Sequence, residues 1–262
     1  MGRIITGQII ATTGYDADGV KIPEVVLREF AKRFATTQST GVAHDLSVPP
    51  ACRGFNGRVE KQPSGEFALV VDMEVLDEEA YATFGGFSIA FTWEGVRFGT
   101  GPVVVGALIN PQLFDFPEAV RRIGALQLTD GMEVQQYIQR GQRLNTAIIT
   151  LVIYAATEFS GGFIGEAGKA AFDALRGLPP KHPNVPTEIH LRIERPGQPV
   201  IIMPIDPSCP AERLGEIDGP RLVEEIELHA AGTKLQRAVV SVDANGATAV
   251  EVLVDTDGRP VQ

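Results

Sequence analysis

The strongest constraint in this chain is local. Two runs of strand-forming residues, 55–61 and 67–75, flank Pro63-Ser64-Gly65-Glu66. A loop of that length and composition connects antiparallel strands, so a hairpin anchors the first part of the fold. Residues 4–11 are a further strand candidate, followed by the turn cluster Tyr15-Asp16-Ala17-Asp18-Gly19. Pro23 opens a helix over 23–35, where Val26, Leu27, Phe30 and Phe34 recur at helical spacing. A polar turn over 36–40 then leads into Gly41-Val42-Ala43-His44, a short strand that delivers His44 at its end. Residues 77–84 read as a short helix that Asp77 would cap, Gly85-Gly86 ends it, and residues 87–93 resume as a strand. The unbroken apolar run 103–109 predicts a strand buried on both faces.

Beyond Pro111 the pattern changes. Residues 116–126 predict a helix, and 130–159 a longer helical region with Ile148, Leu151, Val152 and Ala155 on one apolar face. Gly161-Gly162 ends it, and 166–175 predict another helix. Proline-rich residues 177–186 read as a linker. After it, residues 188–194 alternate apolar and polar, Pro196-Gly197-Gln198-Pro199 turns the chain into 200–205, and Asp243-Ala244-Asn245-Gly246 joins 238–242 to 249–254. These patterns predict an α+β chain. A β-rich, barrel-like domain with flanking helices spans 1–115, a helical segment spans 116–178, and a small α+β domain spans 187–262.

With 262 residues, 44% of them hydrophobic, the chain can build a sizeable core. A net charge of −10 and the lack of a basic stripe argue against nucleic acid as a partner. Cys52 and Cys209 are too few and too far apart for a disulfide framework, and no Cys/His pattern matches a zinc site, which fits a reducing cytoplasmic setting. The first seven residues read as a strand rather than a signal peptide. The apolar stretch 147–156 falls well short of the roughly 20 residues that span a bilayer, so no membrane partner is expected.

Two segments carry chemistry. A histidine beside a turn is usually a surface or capping residue, and a serine in an apolar strand usually bonds to backbone. Together, His44 and Ser88 are the residue types of a general base and a nucleophile. Gly85-Gly86 would leave backbone N–H groups open to an oxyanion, or would simply terminate the preceding helix. His182, His190 and His229 read as surface or structural residues, and Gly161-Gly162-Phe163-Ile164-Gly165 lacks the lysine and hydroxyl of a phosphate loop.

The succession His44-Asp45-Leu46-Ser47-Val48-Pro49-Pro50, residues 54–59, a hairpin containing Gly65, a short helix containing Ala80, and Gly86-Phe87-Ser88-Ile89-Ala90-Phe91 resembles the phage prohead protease family over about residues 3–115. The resemblance implies a capsid-maturation serine peptidase with a fold similar to the herpesvirus assemblin proteases. It implies His44 as base, Ser88 as nucleophile, no cofactor, and a protein or peptide substrate such as a capsid or scaffold protein. A homodimer follows from the same analogy, as does a phage-encoded, capsid-associated setting. The chain departs from the family pattern at Ala90, where glycine is common, and at Val104, where an acidic third member is expected. Nearby acids are Asp115, Glu94 and Asp45. Asp45 would point away from His44 if both lie in a strand, and Asp115, which follows the apolar run, is the preferred orienting acid. Loss of that acid costs orders of magnitude in rate. The alternative is an inactive protease-like fold serving as a structural or protein-binding module, capsid-associated or in a bacterial conflict system.

Overall fold

The computed structural model describes residues 2–14, 21–36, 39–41, 51–78, 81, 89–126, 131–140, 146–154 and 164–261. The chain is α+β and rich in sheet. It divides into two compact units. The first comprises Met1–Phe91, Arg140–Gln142 and Thr256–Pro260, the second Thr92–Gln139, Arg143–Asp255 and Val261–Gln262.

In the first unit, β1 (Ile4–Thr12), β2 (Ser39–Gly41), β3 (Cys52–Lys61) and β4 (Phe67–Val75) form an antiparallel sheet in the order β1-β4-β3-β2. The expected hairpin is β3–β4. Its loop closes through the Gln62 N–H to the Glu66 carbonyl (2.7 Å) and the Gly65 N–H to the Gln62 carbonyl (2.9 Å). Gly65 has φ +89°, a conformation that favours glycine. Helix α1 (Glu24–Thr36) packs closely on β3 because two glycines face it. A Cβ at Gly57 would stand 2.5 Å from Phe34 Cβ and 3.1 Å from the Ala31 carbonyl, and one at Gly54 would stand 2.6 Å from the Phe34 ring. Leu27, Cys52, Leu69 and Met73 are fully buried in this unit. Of the expected helix over 77–84, Tyr81 donates its N–H to the Asp77 carbonyl at 2.9 Å, and much of the rest lies outside the described residues.

The second unit is built from repeated β-α-β crossovers. In chain order, its elements are β5 (Ile89–Phe98, starting just before the division), β6 (Val103–Ile109), α2 (Phe116–Gly124), β7 (Gly131–Arg140) and β8 (Ala147–Tyr154). They are followed by α3 (Gly165–Arg176), β9 (Thr187–Glu194), β10 (Val200–Ile205), α4 (Ala211–Gly215), α5 (Gly219–Ala230), β11 (Leu235–Val242) and β12 (Thr248–Asp255). The sheet order is β12-β11-β10-β9-β8-β6-β7-β5. The pairs β6–β7, β8–β9 and β10–β11 are parallel with helices in the crossovers, whereas β6–β8, β9–β10 and β11–β12 are antiparallel. Ala107, Leu151, Leu191 and Met203 form one row across four strands and belong to a core that also holds Ile123, Phe172, Leu175 and Ile226 from the helices.

Two expectations are corrected. The region 130–159 contains strands β7 and β8 rather than a helix, so 116–178 is two helices flanking two strands; 155–159 lie outside the described residues. On β8 the fully buried residues Ile149 and Leu151 alternate toward the core, while Ile148 and Val152 take the other face. Such a two-sided apolar strand also satisfies helical spacing, which is why the pattern misled. The proline-rich stretch 177–186 is likewise not a free linker, since it joins α3 to β9 within one sheet, with β8 and β9 in register from Ala147↔Thr187 to Tyr154↔Glu194. It is fastened by buried Leu178, by the Lys181 N–H to the Leu113 carbonyl (2.7 Å) and by Lys181 Nζ to the Pro111 carbonyl (2.7 Å). Among the described residues no helix is long and apolar enough to cross a membrane.

Candidate functional site

His44, Asp45 and Ser88 lie outside the described residues. What is described is their setting in the chain: β2 ends at Gly41 and β3 begins at Cys52 on either side of His44, and β5 begins at Ile89, directly after Ser88. Glu94 stands within β5.

Asp115 has a local task. It is exposed and extended (φ −78°, ψ 100°) at the start of α2, where its carboxylate accepts the Glu118 N–H at 3.2 Å and its carbonyl accepts the Ala119 N–H at 3.0 Å. A carboxylate there satisfies an orphan donor and faces the positive end of the helix dipole. The following Pro117 suits a first helical turn. Asp115→Ala is expected to cost about 0.5–2 kcal/mol in urea unfolding. Asp115→Asn, which keeps a capping oxygen, is expected to retain stability. If it did so yet abolished active-site labelling, Asp115 would belong to the chemistry as well as to the helix. Val104, at the position where the acid was expected, is half-buried against the second unit's core.

The other singled-out residues are accounted for structurally. His190 is 5% exposed with Nε2 3.0 Å from Glu188 Oε2. His229 donates from Nδ1 to the Glu225 carbonyl (2.8 Å) one helical turn back, and His182 is exposed. Among the described residues no group of three or more His, Cys, Asp or Glu side chains is placed to hold a metal. Burial pushes the Cys52 thiol up to about 11 and raises that of Cys209 too, so both stay protonated and unreactive near neutral pH.

Sequence reading missed a polar band on the face of the eight-stranded sheet that turns away from the core helices. One register row runs Glu133, Gly106, Val152, Arg192, Ile202, Val239. The Tyr154 ring lies over Gly106, where a Cβ would meet its ring edge at 3.4 Å and its hydroxyl at 3.5 Å. Arg192 Nε stands 2.7 Å from Glu194 Oε1. Burial raises the Tyr154 hydroxyl, the Glu194 and Glu133 charges raise it further, and Arg192 opposes them. Burial likewise raises Tyr137 against the opposing charge of Arg192. Both phenols therefore remain hydrogen-bond donors. The available signal was the string Glu188, His190, Arg192, Glu194 on one side of a strand flanked by apolar strands.

No family model, curated protein or solved structure matches this chain.

Proposed function

We propose that the chain is a serine endopeptidase of the prohead-maturation type. Ser88 attacks a peptide carbonyl, His44 takes the hydroxyl proton and returns it to the leaving amine, and N–H groups beside Gly85-Gly86 receive the oxyanion. The observation that supports this reading most is the order of elements around the two segments. His44 falls between β2 and β3 and Ser88 immediately precedes β5, with the Gly65 hairpin between them, all within the stretch that carries the resemblance. On this reading the protease part is centred on Met1–Phe91 of the first unit rather than on a barrel over 1–115, since 92–115 belong to the second unit, and the substrate is a protein segment such as a capsid or scaffold tail. The protein would act as a cytoplasmic or capsid-associated homodimer.

One observation favours a second reading, a protease-like module that has lost catalysis. Asp115 is engaged as a helix cap and Val104 offers no carboxylate, which supports a histidine left without an orienting acid. Fluorophosphonate labelling separates the two. An active enzyme labels, loses labelling in Ser88→Ala, loses it by orders of magnitude in His44→Ala, and keeps it in Ser208→Ala, a serine in an exposed turn. A folded wild-type chain that takes no label is the inactive module.

A further inference from the structure

Among the described residues Arg237 is a cation without a counter-charge. It lies on β11, in register with Val200 of β10 on one side and Val254 of β12 on the other. Its Nε and Nη2 are shut off from solvent and have no hydrogen-bond partner among the described residues. Val254 and Val239, two residues further along β11, are fully buried, so the surroundings are apolar. Arg192 is on the same face, two strands away across β10, in the row Arg192–Ile202–Val239. At roughly 4.8 Å per strand the two Cα atoms are on the order of 12 Å apart, a gap that two extended arginine side chains span. The two charges are felt: burial and the Arg192 charge together lower the Arg237 pKa. Glu194, the acid beside Arg192, is already ion-paired with it.

An unpaired, desolvated guanidinium is costly, and an apolar residue of similar volume would be cheaper. A guanidinium is also a fork of donors shaped to take two oxygens of one anion. We propose that Arg192 and Arg237 form a seat for an oxyanion, the carboxylate or phosphate group of a small ligand, on the sheet face opposite the core helices. The seat is independent of the peptidase reading.

The test is thermal unfolding of the full chain at constant ionic strength, with chloride replaced by millimolar inorganic phosphate in one arm and acetate in the other. The expected result is a Tm rise of about 3 °C or more in one arm for wild type. A response to phosphate assigns a tetrahedral ligand group, a response to acetate a planar carboxylate. Arg237→Met is expected to be at least as stable as wild type in chloride and to lose the response, and Arg237→Lys to keep part of it. Equal responses in wild type and Arg237→Met would overturn the proposal. So would the absence of any response in wild type to either anion, a result that needs no variant to fold.

Discussion

Glu74→Gln is expected to destabilise the protein by about 3–5 kcal/mol at neutral pH and to remove part of its sensitivity to acid. Glu74 on β4 is paired across the ladder with Arg53 on β3, and Arg53 Nε and Nη2 both stand 2.6 Å from Glu74 Oε2. The two side chains are only 10% and 12% exposed. Arg259 approaches Oε1 at 3.4 Å, and Arg53 Nη1 donates to the Asp257 carbonyl, so the same charges fasten the Thr256–Pro260 segment to the first unit's sheet. Neutralising one member leaves a buried guanidinium facing an amide, and breaking a buried pair costs more than an exposed one. Burial pushes the Glu74 carboxyl up. The Arg53 hydrogen bond and charge, the Arg259 charge and the Gly2 N–H outweigh it and leave the group below its ordinary value. A carboxyl depressed in the folded state contributes its full stability above the unfolded value, about 4.3, and loses it as pH falls through the folded value. Urea unfolding of wild type and Glu74→Gln should therefore differ most at pH 7 and converge toward pH 3. Identical midpoints at pH 7 would mean that the pair contributes nothing net.

The hairpin β3–β4, the strand 103–109 and the helices at 116–126 and 166–175 were legible because their signals are local. Pro63-Ser64-Gly65-Glu66 dictates a turn whatever surrounds it, and Asp115-Phe116-Pro117-Glu118 is a helix start written in four residues. That same signature gives Asp115 a capping task that the sequence reading, which named it as the orienting acid, did not assign. Strands β7 and β8 were not legible because neither stands alone. β7 is paired to β6 and β8 lies between β6 and β9, so their identity depends on partners distant in sequence.

The polar band was hidden for a related reason. Arg192 and Arg237 share a face only through the register of β10 with β9 and with β11, and no local pattern announces that pairing. His44 and Ser88 are a different case. They read as a motif in the sequence and lie outside the described residues, which leaves their chemistry to labelling rather than to pattern.

Ile149→Ala and Leu151→Ala are each expected to cost about 2–5 kcal/mol. Both are fully buried on β8 and point into the core shared with α3, where Phe172 and Leu175 are also buried. Truncation removes apolar contact and leaves a cavity that a sheet held on both sides by neighbouring strands closes poorly. Thr150, between them, faces the polar side opposite Leu108 and His190, and Thr150→Ala is expected to stay within about 1 kcal/mol. The alternation distinguishes strand from helix. A helix with Ile148, Leu151, Val152 and Ala155 inward would place Ile149 outward and make its truncation nearly silent, whereas a strand makes Ile149 as costly as Leu151. Urea midpoints for the three variants read this directly: low, high, low along 149–151 is the strand. A tolerant Ile149 beside an intolerant Leu151 would restore the helix, and with it the core described for the second unit would have to be redrawn.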